Sequence, residues 1–140
     1  MFQRNYKVEG NDVNDYMVMQ NTAYLKYSAK IVETFLFVKG YPKLKMNTLK
    51  VGLEKKNDEI LQYKQLFFTQ AFSVELVFKN ILFTNQKMTV AIHFYNQEKE
   101  LCATITRELY WFDYTSWQII SPPKSIANCF LQVKELREVG

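Results

Sequence analysis

The 140-residue chain is 48% hydrophobic and 16% aromatic, with only 4 Gly and 3 Pro, and its net charge is +4. This composition excludes a disordered chain and a collagen-like repeat, and the length predicts a single domain over residues 1–140. Two cysteines and one histidine are too few for a disulfide framework or a typical zinc site, so we expect no metal and no cofactor.

The first third of the chain predicts a strand, a loop and a long helix. Gln3–Glu9 alternates weakly between apolar and polar residues, and turn-forming residues make Gly10–Gln20 a loop. From Asn21 onward apolar residues recur at helical spacing, until Gly40 and Pro42 stop the helix. Asn21 or Thr22 can cap its start. Because apolar residues lie nearly all round this helix, we expect it to be buried.

The rest of the chain predicts four consecutive strands and a second helix. After a lysine-rich connection, the strands are expected at Glu59–Phe68, Ser73–Phe83, Lys87–Tyr95 and Leu101–Phe112. Asn96–Glu100 is expected to form a hairpin turn, and two prolines precede a terminal helix at Lys124–Glu138. This order indicates an α+β fold, in which an antiparallel sheet wraps around one long central helix.

The region around the start of the long helix resembles the hotdog-fold acyl-CoA thioesterases of the 4-hydroxybenzoyl-CoA type. Those proteins carry Asp-x-Asp, a glycine-containing turn, and Tyr-Leu-Arg-Tyr entering the helix; this chain has Asp12-Val13-Asn14 and Tyr24-Leu25-Lys26-Tyr27. Phe67-Phe68-Thr69-Gln70-Ala71 resembles the family's aromatic pair and the bend that follows it. Two residues depart from the pattern, because Asn14 replaces the family's catalytic Asp and Met17 or Tyr16 replaces the turn glycine.

Asp-x-Asn is similar to a narrower group, the hotdog thioesterases that release polyenes from enediyne-type polyketide synthases without that carboxylate. Glu33-Thr34-Phe35-Leu36 matches the Glu-x-Phe-Leu of this group, although Val32 stands where the group has Arg. The resemblance implies a thioester hydrolase that releases an acyl or polyketide chain from acyl carrier protein or coenzyme A. It also implies a homo-oligomer, a dimer joined edge to edge by its sheets or a tetramer, with the site at the subunit interface.

Thioester hydrolysis needs a polarised carbonyl and a positioned water molecule. The resemblance implies that backbone N–H groups near Met17, Val18 and Asn21 face the thioester oxygen at the positive end of the helix. An Asn amide cannot accept a proton from water, so Asn14 is expected to orient the water or to donate to the carbonyl. Glu33 on the helix is a candidate base.

Other residues are candidates for contact with the substrate. The Tyr24 hydroxyl is a further catalytic candidate. Asp12, in the Asp-x-Asn motif, is a candidate for substrate binding, and Asp12 and Asp15 are further candidates for the base. Aromatic rings suit an acyl chain, so the acyl side of the site is expected at Phe67, Phe68 and Thr69. Each candidate has a plainer alternative: a turn cap for Asn14 and Asp12, a solvated helix face for Glu33, and a packed core for the aromatic residues.

Charge and targeting patterns limit the partners. Six lysines and one glutamate lie between Lys39 and Lys56, a basic stretch that can dock the phosphates of coenzyme A or an acidic carrier protein, or form a solvated loop. We expect no nucleic-acid partner, no membrane partner and a cytoplasmic location, because no binding motif, spanning segment or export signal is found. Two rivals stay open: a non-catalytic acyl-binding or scaffold protein, and a dehydratase or isomerase, for which His93 is poorly placed.

Overall fold

The computed structural model describes residues 2–82 and 86–133. Its α-helices are α1 (Asn21–Val38), α2 (Lys43–Leu49) and α3 (Lys124–Leu131). Its strands are β1 (Phe2–Lys7), β2 (Val51–Gln62), β3 (Ala71–Leu82), β4 (Lys87–Tyr95), β5 (Leu101–Asp113) and β6 (Gln118–Ile120). Phe83 of the third predicted strand and residues 134–138 of the predicted terminal helix lie outside the described residues.

The strands form one antiparallel sheet in the order β1-β3-β4-β5-β2, with β6 paired to β5. One face of α1 packs against this sheet and fully buries Tyr24, Tyr27, Ile31 and Phe35. Each such side chain stabilises the fold by roughly 1.5–3 kcal/mol relative to an exposed position. The predicted α+β hotdog architecture is therefore confirmed.

The two ends of α1 are formed differently. At the C-terminal end, the Tyr41 N–H donates to Leu36 O at 2.7 Å and the Gly40 N–H donates to Phe37 O at 3.1 Å, while Gly40 takes φ 92°. This is the Schellman arrangement that a glycine permits, and it confirms the predicted stop. At the N-terminal end the predicted cap is wrong, because the capping position is Gln20 and no side chain there caps the helix.

The other face of α1 is open in the single chain, so the expectation of a helix buried all round is wrong. Lys26, Ala29, Lys30 and Glu33 are exposed along this face. At the end of the helix, 68% of Phe37 is exposed. The sheet covers only one side of the helix, and the apolar residues on the other side face a groove.

The segment after α1 contains more structure than the sequence predicts. Short helix α2 buries only Met46, and β2 begins at Val51, so the strand predicted at Glu59–Phe68 is wrong in its bounds and residues 63–68 form a loop. Strand β4 and the Asn96–Glu100 turn have the predicted positions. Strand β2 is an edge strand with many charged residues, and such a strand lacks the clean alternation that sequence analysis detects.

Candidate active site

The loop that leads into α1 is held by a second loop, residues 63–70. Val18 pairs with Phe67 as an isolated antiparallel bridge, and the Met19 N–H donates to Leu66 O at 2.8 Å. These contacts join two segments about fifty residues apart in the chain. They bring the predicted aromatic pair next to the predicted substrate-binding loop.

Asn14 closes the turn before α1 with its side chain. Its Oδ1 accepts hydrogen bonds from the backbone N–H groups of Tyr16 at 2.9 Å and Val18 at 3.1 Å. Two N–H donors identify this atom as the amide oxygen, so the Nδ2 group is left as a donor. In the portion of the chain that the structure covers, no acceptor lies within hydrogen-bond range of that Nδ2. Asn14 therefore combines the turn-capping role with a free donor that is exposed to solvent.

Met17 occupies a backbone position that favours glycine. Its φ of 63° lies in the left-handed region, which costs an ordinary residue roughly 1–2 kcal/mol. The Met17 N–H donates to Asn14 O at 2.9 Å, and the Met17 O accepts from the Phe68 N–H at 2.9 Å. The turn keeps its geometry without glycine because these bonds hold both sides of the peptide.

Two N–H groups at the start of α1 have no acceptor. The N–H groups of residues 17–20 already donate within the chain, to the backbone and side-chain oxygens of Asn14 and to the backbone oxygens of Leu66 and Asp12. For the N–H groups of Asn21 and Thr22, no acceptor exists among the residues described. They lie at the positive end of the 18-residue helix α1. The arrangement can bind an oxyanion or a polarised carbonyl oxygen.

Asp12 is buried and fully engaged. Its carboxylate accepts from the Tyr27 hydroxyl at 2.6 Å and the Glu9 N–H at 3.0 Å, and it pairs with Lys26 Nζ. Burial alone would raise the pKa of Asp12, but the hydrogen bonds and the Lys26 charge outweigh burial and lower it. The Asp12 side chain ties the loop to α1 and is only 1% exposed. The structure therefore places it beneath the loop rather than at its surface.

Tyr24 lies one turn into α1 and is fully buried. Its ring packs edge to face against Phe94 at a centroid distance of 4.9 Å. Its hydroxyl has no hydrogen-bond partner within the residues that the structure describes. Burial raises the pKa of Tyr24 to about 12, so the hydroxyl stays protonated near neutral pH.

Glu33 lies far from Asn14 within one chain. It is twelve residues beyond Asn21 on the same helix, a rise of about 18 Å. More than half of its side chain is exposed, and it pairs with Lys43 at 3.4 Å. The structure does not bring Glu33 and Asn14 together in the single chain.

The aromatic pair forms an exposed apolar surface beside the loop. Phe67 and Phe68 are each 43% exposed, and Thr69 follows with φ 72°. Phe72 and Phe78 are buried in the core and do not extend this surface. A shallow cavity of about 430 Å³ adjoins this surface. Its lining residues are Gly10, Val13, Asn14, Asp15, Met17 and Phe68.

A larger groove, which the sequence did not predict, runs along the open face of α1. Its volume is about 1120 Å³, and α1, α2, β2 and β5 form its walls. Buried Arg107 on β5 donates there to Asp58 of β2, from Nε at 2.8 Å and from Nη2 at 3.1 Å. Burial would raise the pKa of Asp58, but Arg107 and Lys55 outweigh burial and lower it. The sequence signal was an Arg among inward-facing apolar residues of one strand, Ile105, Leu109 and Trp111.

The structure also shows where the single histidine lies and whether the described residues could bind a metal ion. His93 lies on the outer face of the sheet, half-buried, with Nδ1 3.0 Å from Thr104 Oγ1. It therefore lies on the side of β4 away from α1. A dehydratase or isomerase would need the histidine on the side that faces α1. Throughout residues 2–82 and 86–133, no group of three or more His, Cys, Asp or Glu residues could hold a metal ion.

A curled antiparallel sheet on a central helix, with free N–H donors where that helix begins, defines a hotdog-fold protein. Residues 8–130 match the family model of the thioesterase-like superfamily. The chain belongs to the thioesterase-like superfamily, and this membership supports thioester hydrolysis as its class of reaction.

Solved structures show the same fold at low sequence identity. A hypothetical protein from Staphylococcus aureus in complex with CoA has a TM-score of 0.87 and 12% identity, covering 99% of this chain and 91% of that one. A 1,4-dihydroxy-2-naphthoyl-CoA thioesterase from Synechocystis has a TM-score of 0.83 and 11% identity, with 96% and 98% covered. The probable thioesterase YbaW from Escherichia coli has a TM-score of 0.79 and 12% identity, covering 96% of this chain and 100% of that one.

No curated protein matches the sequence significantly. Among the helices of the described residues, none is long and apolar enough to cross a membrane.

Proposed function

We propose that this protein hydrolyses an acyl thioester at the start of α1. The observation that carries the proposal is the pair of free N–H groups at Asn21 and Thr22, beside the free amide donor of Asn14. The thioester carbonyl oxygen accepts from the two N–H groups, and the Asn14 Nδ2 group orients the carbonyl or the attacking water. The acyl chain lies along Phe67 and Phe68.

The reaction adds water to the thioester carbon. As the C–O bond forms, the carbonyl electron pair moves to oxygen, and the resulting oxyanion is stabilised by the N–H groups at the positive end of α1. The C–S bond then breaks, and the thiolate leaves with the proton that the water has lost. Preorganised donors of this kind are each worth about 10²–10³ in rate.

The proton must first pass to a base, and only Asp15, which is exposed beside Asn14 in the smaller cavity, lies near the site within one chain. Asp12 is buried and neutralised by Lys26, and Glu33 is about 18 Å away along the helix. A second copy could supply Glu33 as a further base, since β2 is an open sheet edge and the exposed face of α1 lies beside it. A two-fold axis crossing α1 near the level of Tyr27 would bring the Glu33 of another copy to the helix start. We therefore place the site between two copies, in a dimer or a tetramer of dimers.

The proposed substrate is an acyl or polyketide chain on coenzyme A or on acyl carrier protein, and the proposed location is the cytoplasm. The basic stretch between Lys39 and Lys56 supports a phosphate-bearing or acidic carrier. One observation favours a second function. Asn14 stands in the place of a catalytic carboxylate and Asp12 is unavailable, which suits a protein that binds acyl thioesters without hydrolysing them.

Thiol release from a panel of short to long acyl thioesters, on coenzyme A and on carrier protein, separates the two functions. Turnover above the buffer rate with a preference for chain or carrier supports hydrolysis. Binding of acyl chains without turnover supports the acyl-binding function instead.

Mixed oligomers test the shared site. If Asn14 and Glu33 come from different copies, an equal mixture of Asn14→Ala and Glu33→Gln chains regains about a quarter of wild-type turnover after subunit exchange, because half of the dimers contain one intact site. No recovery after verified exchange would refute a site shared in this way.

A further inference from the structure

The hairpin between β5 and β6 carries three aromatic rings that contact one another. The ring centroids of Phe112 and Tyr114 are 5.1 Å apart, those of Phe112 and Trp117 are 5.8 Å apart, and those of Tyr114 and Trp117 are 6.1 Å apart. All three pairs are edge to face. We call these three residues the hairpin aromatic cluster.

The hairpin aromatic cluster is built on a rigid support. The Tyr114 N–H donates to Lys50 O at 2.8 Å, and its hydroxyl donates to Glu54. The ring lies directly over Gly52, where an added Cβ would lie 2.6 Å from Tyr114 ring atoms. Asp113 braces the turn by accepting from the Thr115 N–H at 2.9 Å. The rings are therefore held in place rather than left to collapse onto the core.

The cluster leaves large apolar side chains in solvent. Trp117 is 72% exposed at φ 58°, and Ile119 on β6 is 45% exposed. Leu49, next to the Lys50 carbonyl that holds the hairpin, is 51% exposed. The other tryptophan, Trp111, lies on β5 and is fully buried. An exposed Trp on a braced hairpin is typical of a binding surface.

The two segments that meet at the hairpin carry the net charge of the chain. Residues 39–56 and 110–120 together contain six basic and two acidic residues. The rest of the chain contains twelve basic and twelve acidic residues, so these two segments carry the entire net charge of +4. Among the lysines, Lys43 and Lys55 pair with Glu33 and Asp58. The two acids, Glu54 and Asp113, are hydrogen-bonded within the hairpin and its support, whereas Lys45, Lys50 and Lys56 are exposed. The two segments therefore combine exposed apolar side chains with a net positive charge.

We propose that the hairpin aromatic cluster and the neighbouring lysines bind an anionic lipid surface. Trp and Tyr rings have an apolar body and a polar edge, which suits the boundary between headgroups and acyl chains. Lysines beside them are attracted to anionic headgroups. The apolar side chains protrude from a hairpin tip that is joined to the lysine-rich segment at Lys50, a shape that enters a lipid surface more readily than it fills a protein groove. Peripheral binding of this kind needs no spanning segment, and it does not depend on the proposed hydrolysis.

Intrinsic fluorescence tests the proposal directly, because the chain has two tryptophans and only Trp117 is exposed. Vesicles of phosphatidylcholine in which phosphatidylglycerol replaces part of the lipid should shift the emission to the blue. Brominated lipid should quench it, and added salt should weaken the effect. Pure phosphatidylcholine vesicles should produce a much smaller shift.

Variants measured by vesicle sedimentation complete the test. Trp117→Ser should weaken partition by about tenfold or more, and Lys50→Asn, which keeps a residue suited to φ 56°, should weaken it on anionic vesicles. Tyr16→Ser, which removes an 83% exposed ring outside the cluster, should bind as wild type. Equal sedimentation of wild type and Trp117→Ser would overturn the proposal. So would a Trp117 already protected from acrylamide without vesicles, since another protein surface would then cover it.

Discussion

Replacing Asn21 by proline removes one N–H group from the proposed oxyanion site, together with the Asn21 side chain. Asn21 is the first residue of α1, where proline is common because the N–H has no partner within the helix. The residue before proline must be extended, and Gln20 has φ −98° and ψ 162°. Asn21→Pro should therefore fold, with a stability close to that of Asn21→Ala.

The size of the effect follows from the role of the missing donor. Losing one preorganised oxyanion donor lowers kcat by about 10²–10³, or about 2.7–4 kcal/mol in transition-state stabilisation. The side chain contributes separately, since the Gln62 amide donates to Asn21 Oδ1 at 2.7 Å. Asn21→Ala loses that hydrogen bond but keeps the N–H, so it is the matched control.

The assay is thiol release by both variants on the best substrate of the acyl thioester panel, with urea denaturation to confirm equal stability. We expect Asn21→Pro to lose about a hundredfold or more in kcat relative to Asn21→Ala, with a smaller change in KM. If a folded Asn21→Pro kept kcat within about threefold of Asn21→Ala, the oxyanion assignment would be wrong.

Three further predictions follow from single contacts. Asn14→Asp introduces a carboxylate and keeps an oxygen that can cap the turn. We expect kcat to rise by up to about 10²-fold, with a new acidic limb in the pH–rate profile. An unchanged rate would show that the base is elsewhere. Asp12→Asn should lower the free energy of unfolding by about 1–3 kcal/mol at neutral pH. The pKa of Asp12 is lower in the folded state than in the unfolded state. The wild type therefore keeps its extra free energy of unfolding above the unfolded carboxyl pKa and loses it as pH falls through the folded pKa. Urea denaturation at several pH values measures this loss. Gly52→Ala should destabilise the chain by about 1–3 kcal/mol through the Tyr114 ring, and the loss should largely disappear in a Tyr114→Ala background.

Sequence analysis succeeded where one local pattern decides the structure. The apolar spacing of α1 and the stop at Gly40 depend on residues within one helix and its end. The alternation along β4 likewise gave its bounds, Lys87–Tyr95. It failed for β2, whose first half contains Glu54, Lys55 and Lys56 and is defined by pairing with β5 rather than by its own periodicity.

Sequence analysis named side chains of the candidate site and one free donor, Asn21, but it also named Met17 and Val18, whose N–H groups already donate within the chain. Asn14, Phe67 and Phe68 are found from motif positions, since side-chain chemistry is written in the sequence. Backbone N–H groups are common to almost every residue, and which of them are free depends on long-range pairing. Only the contact between Met19 and Leu66, and similar bonds, shows that the donors of residues 17–20 are used and those of the next two residues are free.

The pair of Arg107 and Asp58 shows the same limit for charged residues. An Arg at an inward position of β5 requires a buried acidic partner, and that much follows from the strand pattern alone. The choice of partner depends on the register between β5 and β2, which shifts by one residue at a bulge between Lys55 and Asn57. Without that bulge, side chains beyond it would move to the opposite face, and Asp58 would point away from Arg107. The bulge therefore determines that the groove beside α1 contains a neutralised pair instead of an isolated buried cation.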